Sequence, residues 1–227
     1  RQLELSRRQS GILMDSARPL NSRTAPSTLS ITALEMDRRV VGAAARQIQA
    51  KEADAVDWPK TLTDLHDRGK SCVTKHASID IYWGDARHTV TQLVPERYDL
   101  VFLDAFSTQR NSELWTDDFF RKLRSLMKPD AVLLTYCAAL PVRAGLIEAG
   151  FCVGETSPVG RQRGGTIAAM RPEDIAIPLP GPELRTLRKT TRGLPYRDPH
   201  GVWTNKEILR NRQQRILDAK VCDRRRP

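Results

Sequence analysis

Four carboxylates stand in the sequence where they can bind a nucleoside: Glu35, Asp37, Asp85 and Asp104. They follow segments typical of buried β-strands, and ligands of open parallel sheets bind outside the carboxyl ends of the strands. Glu35, with Asp37 as its neighbour, can accept hydrogen bonds from the two hydroxyl groups of a ribose. Asp85 can accept one from the exocyclic amine of a base, and the small Ala86 leaves room for a flat ring. One such carboxylate alone is usually a solvated loop residue, but three successive strand ends together favour a nucleoside site.

Asp104 is followed by an aromatic-bearing loop that also holds Asn111 and Trp115. We expect this loop to close over a substrate, and Asp104 to orient an attacking amine and favour its deprotonation. The alternative is that Asp104 only caps the loop. No metal site is predicted, because the histidines show no ligand spacing and the cysteines form no CxxC pair.

Alternating strands and helices must position these residues. The best strand, 98–103, ends at Asp104, and the helix after it has Thr116 as its expected N-cap. The segments predict a doubly wound, mostly parallel α/β sheet with one reversed edge strand in a C-terminal hairpin, while residues 52–77 show no interpretable pattern. The predicted strands are 29–34, 78–83, 98–103, 131–136, 151–155 and 166–170, and the predicted helices, besides the one after Thr116, are 38–51, 89–93, 141–149 and 205–220.

The charge of the chain favours a polyanionic partner. Its 227 residues are enough for one domain with a tail, and 37 Lys and Arg against 27 Asp and Glu leave a net charge of +10. We therefore place nucleic acid ahead of a membrane surface as the partner. The sequence has no apolar run of membrane-spanning length and no signal segment, which predicts a cytoplasmic location. Residues 1–171 are interpreted as the main domain and residues 172–227 as a Pro-rich and then basic tail; because the chain begins at Arg1, we expect an upstream segment.

Two groups of basic residues are candidates for contact with phosphates. Arg161 and Arg163 lie in a glycine-rich loop between the last two predicted strands. From residue 205 to residue 227, eight basic residues stand against three acidic ones, which leaves a net charge of +5. Because a basic chain end is often only a solvated segment, we expect direct phosphate contact from Arg161 and Arg163 and longer-range attraction from the tail.

The residues from Tyr98 to Thr116 resemble the signature of the MnmC-like tRNA methyltransferases of the stand-alone type. In that signature a strand ends in Asp, then come Phe, Ser or Ala, and Pro, and later Asn-Pro-x-x-Trp; here Thr108 and Ser112 replace the two prolines. Further segments fall in the same order as in the family, so that the resemblance covers about residues 11–215. These segments are 84–87, 128–129, 135–136, 142–146, 149–151, 159–161, 164–166, 194–199, 207–209 and 212–213.

The resemblance implies a Rossmann-like, S-adenosylmethionine-dependent methyltransferase fold that N-methylates the aminomethyl group of a tRNA wobble uridine. By position, Glu35 is then the ribose ligand, and Asp85 and Ala86 contact the adenine. Asp104 faces the methyl donor and the acceptor amine. The implied partners are the anticodon region of tRNA and a separate or fused oxidase that prepares the substrate, and we expect a monomer.

The glycine-rich loop of the family is altered in this chain. Family members carry Gly-x-Gly-Tyr-Asn-Ser, whereas this chain has Ala17 and Pro19 in the glycine positions, and only Asn21 and Ser22 match. A Cβ atom or a pyrrolidine ring there opposes close approach of the backbone to the methionine moiety of the donor. We still assign Asn21 to the cofactor site. Two alternatives stay open: a catalytically silent RNA-binding relative and, disfavoured by the excess of positive charge, a small-molecule methyltransferase.

Overall fold

The computed structural model describes residues 10–16, 28–48, 56–158 and 164–224. Strands and helices alternate along these ranges. The strands are β1 (Ser10–Ser16), β2 (Leu29–Glu35), β3 (Lys70–Thr74), β4 (Ala77–Trp83), β5 (Tyr98–Phe102), β6 (Met127–Thr135), β7 (Cys152–Glu155) and β8 (Thr166–Ala169). The α-helices are α1 (Arg38–Gln47), α2 (Trp58–Arg68), α3 (Ala86–Thr89), α4 (Asp117–Leu126), α5 (Leu140–Glu148), α6 (Gly181–Lys189) and α7 (Asn205–Arg224). Short 3-10 turns lie at Val90–Gln92, Ser112–Trp115, Pro172–Asp174 and Thr191–Gly193.

The strands form one sheet in the order β3-β4-β2-β1-β5-β6-β8-β7. Five strands, β2, β4, β5, β6 and β7, run in one direction, so their carboxyl ends lie at one edge, which we call the carboxyl edge. This arrangement confirms the predicted Rossmann-like α/β fold, but the sheet is mixed and not mostly parallel, because among the described strands only the β2–β4 and β5–β6 pairs are parallel. β8 is reversed as expected. It lies between β6 and β7, because the chain turns back after β7 and β8 then pairs with both strands. β1 and β3 are also reversed, where the sequence predicted a single reversed strand.

β1 lies in the middle of the sheet and runs antiparallel to both of its neighbours. Ser10 lies opposite Glu35, and Ser16 lies opposite Leu29. β1 is not among the strands predicted from the sequence, and the chain leaves it at the edge opposite to the carboxyl edge, whereas the resemblance implies that the altered glycine-rich loop approaches the donor. The segment with the altered glycine positions, including Asn21, lies outside the described residues, so the role of Asn21 stays a prediction.

The main apolar core packs the sheet against α4, and α4 shows how the sequence builds it. Thr116 Oγ1 accepts a hydrogen bond from Phe119 N at 3.2 Å, which satisfies one of the free N–H groups at the helix start. Asp117 and Asp118 occupy the first turn, where negative charge is favourable. The helix predicted after Thr116 is thus confirmed. Its buried apolar residues are Phe119, Phe120, Leu123 and Leu126.

The segment 52–77, which the sequence left uninterpreted, contains α2 and β3. Asp57 caps α2 by accepting a hydrogen bond from a backbone N–H of the first turn at 3.0 Å. Gly69 ends the helix with a φ of 73°, in the left-handed region that favours glycine. The helix is hard to predict because only Thr61 and Leu65 are buried, so few apolar residues mark its inner face.

The tail packs against the rest of the protein. Leu187 of α6 is buried beside Ala144 of α5, and Tyr196 and Ile208 belong to the main core. Contacts therefore join the two segments that the sequence divides at residue 171. The Pro-rich part contains α6, which was not predicted, and α7 continues beyond its predicted end to Arg224. None of the helices in the described ranges is long and apolar enough to cross a lipid bilayer.

Candidate functional site

The carboxyl edge brings the loops of Glu35 and Asp85 into direct contact. Their strands, β2 and β4, are neighbours in register, with Glu35 opposite Trp83. Gly84 then donates its backbone N–H to Glu35 O at 2.9 Å. The φ of 132° at Gly84 is one that residues with a side chain rarely adopt, so glycine is required for this turn. Asp104 follows β5 at the same edge, with β1 between β5 and β2.

Glu35 and Asp37 are linked through the backbone. Glu35 Oε1 accepts a hydrogen bond from Asp37 N at 2.8 Å, and Glu35 is partly exposed. The carboxylate of Asp37 caps α1, where it accepts from Arg39 N at 2.8 Å, and it also forms an ion pair with the Arg39 guanidinium at 2.7 Å. Asp37 thus fixes the start of α1, and Glu35 is the better placed of the two for a ligand.

Asp85 caps α3 and is paired with a buried guanidinium. Its Oδ1 accepts from Arg87 N at 2.9 Å, and its Oδ2 lies 2.6 Å from an Arg87 terminal nitrogen. Burial raises the pKa of Asp85, but the hydrogen bonds and the charge of Arg87 outweigh burial and hold this pKa below its ordinary value. The carboxylate therefore stays ionised. The methyl group of Ala86 belongs to the buried core.

Asp104 is exposed and borders an open cavity of about 380 Å³ at the ends of β5 and β6. Among the described residues, no hydrogen bond or ion pair to its carboxylate is found. Tyr136 lines the same cavity and donates its hydroxyl to Ala105 O at 2.7 Å, which ties the loop after Asp104 to the end of β6. Phe106, in the same loop, is 51% exposed. The cavity is lined by Phe102, Leu103, Asp104, Leu134, Thr135, Tyr136 and Thr156.

Trp115 and Asn111 were interpreted as substrate contacts, but both side chains are buried. Trp115 has no exposed surface; its indole N–H donates to Phe106 O at 2.6 Å, and its ring meets that of Tyr136 edge-on at 6.2 Å. Asn111 Nδ2 donates to Glu113 Oε2 at 3.2 Å. We therefore correct the interpretation of Trp115. Its buried side chain holds the loop through the hydrogen bond to Phe106 O, and its ring cannot contact a substrate because its surface is already covered.

Two exposed aromatic residues beside Asp104 were not singled out from the sequence. Tyr136 is the last residue of the predicted strand 131–136 and directly follows β6 in the structure, so its position at the end of a strand was the available signal. Phe106 could be found only from the fold, because nothing in the sequence separates it from the buried Trp115. Arg161 and Arg163 lie outside the described residues, so their role stays a prediction. Within the described ranges, no group of three or more His, Cys, Asp or Glu side chains could hold a metal ion.

The chain matches a family model described as S-adenosyl-L-methionine-dependent methyltransferase, over residues 47–171. It is 35% identical over 128 residues to the tRNA 5-methylaminomethyl-2-thiouridine biosynthesis bifunctional protein MnmC of Methylibium petroleiphilum, a match that covers 55% of this chain and 18% of the relative. It is 34% identical over 138 residues to the uncharacterized protein MJ0670 of Methanocaldococcus jannaschii, which covers 61% of this chain and 38% of the relative.

Among solved structures, the fold is similar to the crystal structure of MNMC2 from Aquifex aeolicus. The TM-score is 0.65 at 25% sequence identity, and the match covers 83% of this chain and 58% of that one. The chain thus spans less than two thirds of each of these proteins, and only 18% and 38% of the two curated relatives. The family model and the similarity to the MNMC2 structure agree with a Rossmann-like methyltransferase fold.

Proposed function

We propose an activity for this chain from one premise: the chain belongs to the MnmC-like S-adenosyl-L-methionine-dependent methyltransferases. In our proposal it transfers a methyl group from S-adenosylmethionine to the aminomethyl nitrogen of a wobble uridine in tRNA. The observation that carries the proposal is the position of Asp104, exposed beside an open cavity at the same sheet edge as Glu35 and Asp85.

The residues at the ends of β2 and β4, which we call the donor side, fit the nucleoside part of the donor. Arg87 makes four hydrogen bonds to Asp85 from three donors, because its Nε–H is shared between the two carboxylate oxygens; the side chain of Asp85 keeps 17% of its surface exposed, and an exocyclic amine can approach there. The partly exposed Glu35 can accept from ribose hydroxyls. Because Gly84 joins the two loops by a hydrogen bond of 2.9 Å, both acceptors are held in a fixed relation before any ligand binds.

The residues around the open cavity, which we call the acceptor side, fit an amine carried by a base. When bound, S-adenosylmethionine supplies a methyl group already activated by its sulfonium, so the chain has to position the acceptor and keep its amine neutral. The Asp104 carboxylate can accept a hydrogen bond from the amine and hold the proton that it releases. Exposed aromatic rings such as those of Phe106 and Tyr136 suit stacking on an unpaired base.

A tRNA substrate agrees with the charge of the chain and with one relative. The net charge of +10 favours a polyanion, and a metabolite needs no such surface. The MnmC protein of Methylibium petroleiphilum is named as a bifunctional protein of tRNA thiouridine biosynthesis. We extend this to a second activity, an oxidase on a separate or fused protein, that prepares the aminomethyl substrate. We further propose that the protein is a cytoplasmic monomer and that Arg161 and Arg163 contact phosphates.

The experiment incubates the protein with S-adenosylmethionine and tRNA that carries the aminomethyl wobble uridine, and then digests the tRNA for nucleoside mass spectrometry. We expect one additional methyl group on the wobble nucleoside, absent with Asp104→Asn and retained with Asp174→Asn, which alters only a surface ion pair. Methylation of another nucleoside would contradict the substrate. Binding of tRNA without any methyl transfer would identify the catalytically silent relative instead.

A further inference from the structure

The buried guanidinium of Arg87 joins two parts of the chain that lie far apart in sequence. Its Nε and one terminal nitrogen bind Asp85, as described above. Its other terminal nitrogen donates to Asp198 Oδ2 at 2.7 Å and to Trp203 O at 2.7 Å. Asp198 lies 111 residues later, in the tail, beyond the residues that the family model matches. Arg87 is thus shared between the donor side and the tail segment of residues 196–203, which we call the strap.

Asp198 is itself held firmly in the strap. Its side chain is 1% exposed, and its Oδ1 accepts from Val202 N and Trp203 N, both at 3.1 Å. Its backbone N–H donates to Asp118 Oδ2 of α4 at 2.7 Å. The anchor of Arg87 therefore has its own partners on both sides, so its position does not depend on Arg87 alone.

The donor side, in contrast, holds the backbone around Asp85 through the hydrogen bonds of Gly84 N to Glu35 O and of Lys122 Nζ to Arg87 O, but neither of them orients the Asp85 carboxylate. α3 has four residues, far fewer than a helix needs to be stable by itself. Asp85 caps this single turn and pairs with Arg87 of the same turn, so the pair by itself does not orient the Asp85 carboxylate relative to the rest of the protein. A planar guanidinium with five donors can bind two carboxylates at once in fixed directions, which an ammonium group cannot do.

We propose that Arg87 is a positioning residue through which the strap fixes the orientation of Asp85, so that donor affinity depends on the tail. This inference rests on the proposed function, because it takes Asp85 as a ligand of the donor. Without the Asp198 charge, Arg87 keeps Asp85 as its one charged partner, and its other terminal nitrogen keeps only the Trp203 carbonyl. Loss of the Asp198 charge therefore frees Arg87 to shift, and Asp85 shifts with it while remaining paired.

The first test measures the affinity of S-adenosylhomocysteine by calorimetry for the parent and for Asp198→Asn. We expect affinity to fall roughly tenfold, the size of a lost charged hydrogen bond. The ratio of affinities for S-adenosylhomocysteine and S-inosylhomocysteine, which lacks the exocyclic amine, should fall too, because Asp85 no longer reads that amine. In a double-mutant cycle, Asp198→Asn should have little further effect once Asp85→Asn is present.

The matched control is Arg212→Gln, which loosens the tail at another place. Arg212 donates to Leu194 O at 2.7 Å and to Arg192 O at 3.2 Å, and its guanidinium lies over the ring of Tyr196 at the start of the strap at 5.2 Å, but it makes no hydrogen bond or ion pair with Arg87 or Asp198. Donor affinity and the ratio of the two ligands should stay at parent values in this variant. An equal loss in Arg212→Gln and Asp198→Asn would overturn the proposal, because the tail would then act only through general stability.

A second test needs no ligand and separates this inference from the proposed function. The amides of His88 and Thr89 both donate to Asp85 O at 2.9 Å, so their hydrogen exchange reports on the turn. Exchange at these amides should be faster in Asp198→Asn and unchanged in Arg212→Gln. Unchanged exchange in Asp198→Asn would refute the coupling even if the parent binds no donor. If Asp198→Asn does not fold, Arg87→Lys replaces it, since lysine keeps the charge but cannot bridge both carboxylates.

Discussion

The donor side and the acceptor side lie at one edge of the sheet but are built in opposite ways. On the donor side, Glu35 accepts a hydrogen bond from the backbone, and Asp85 accepts hydrogen bonds from the backbone and the guanidinium of Arg87. On the acceptor side, Asp104 is exposed next to an open cavity of about 380 Å³. Under the proposed function, this difference means that the hydrogen-bond acceptors for the methyl donor are organised in advance, whereas the acceptor side leaves room for a base that enters as part of a tRNA.

The largest expected effect comes from a substitution on the acceptor side, and it tests whether the two sides act separately. Asp104→Asn fills the same space but cannot take up a proton from the amine, so turnover should fall by about 10²- to 10⁴-fold. Donor affinity should stay at the parent value, because Asp104 belongs to the other half of the edge. Single-turnover methyl transfer and calorimetry with S-adenosylhomocysteine check the two halves of this prediction.

A different outcome would reassign Asp104. An equal loss of donor affinity and of turnover would place Asp104 among the residues that bind the donor, and the distinction between the two sides would not hold. Asp174→Asn, which removes a surface carboxylate paired with Arg171, serves as the control for general effects of the substitution.

The next largest effect concerns the donor side. Glu35→Ala should weaken binding of S-adenosylmethionine by roughly 1–3 kcal/mol, the usual loss when charged hydrogen bonds to a ligand are removed. The change should appear in the dissociation constant measured by calorimetry and only indirectly in turnover at saturating donor. A dissociation constant equal to that of the parent would remove Glu35 from the site.

The sequence predicted some features of the fold and the site and missed others, and the two sides of the carboxyl edge differ in this respect. Near Asp104, the run of apolar residues in β5 and the cap at Thr116 gave strand, helix and loop correctly, because each is a local signal. The antiparallel course of β1 was not predicted, because a single strand pattern carries no information on direction. The sequence also did not predict that Arg87 binds both Asp85 and Asp198, because only the tertiary fold brings these two residues together.

The loop after Asp104 shows a second limit of sequence reasoning. The sequence marks Phe106 and Trp115 equally as aromatic residues of one loop, yet the structure exposes the first by 51% and buries the second completely. Burial of Trp115 depends on its hydrogen bond to Phe106 O and on the Tyr136 ring, which belongs to another strand. The sequence therefore predicted an aromatic loop, but not which of its rings is buried and which is exposed.

A smaller effect concerns the ionisation of Asp85. Because Arg87 lowers the folded-state pKa of Asp85, the carboxylate adds stability above the pKa of the unfolded chain, about 3.9 for Asp. This contribution is lost as pH falls through the folded-state pKa. The difference in melting temperature between the parent and Asp85→Asn should thus be constant through neutral and mildly acidic pH and shrink only in strong acid. A difference that already shrinks near neutral pH would contradict the ionised pair.

The smallest expected effect concerns contacts between basic residues and the phosphates of tRNA. Each phosphate contact removed should flatten the double-logarithmic dependence of tRNA affinity on salt by about 0.7–0.9. We expect Arg161→Ala/Arg163→Ala to flatten the slope for an anticodon stem-loop more than truncation after Ala219. Equal slopes in the parent and both variants would place the RNA surface elsewhere, and flattening only on truncation would assign recognition to the end of α7.

The central claim is that the carboxyl edge forms a prebuilt site for S-adenosylmethionine, and calorimetric titration of the parent protein tests it most directly. The account predicts saturable binding of one S-adenosylmethionine per chain, weakened by Glu35→Ala and unchanged by Asp104→Asn. Absence of saturable binding for both S-adenosylmethionine and S-adenosylhomocysteine, in a folded protein that still binds tRNA, would contradict it.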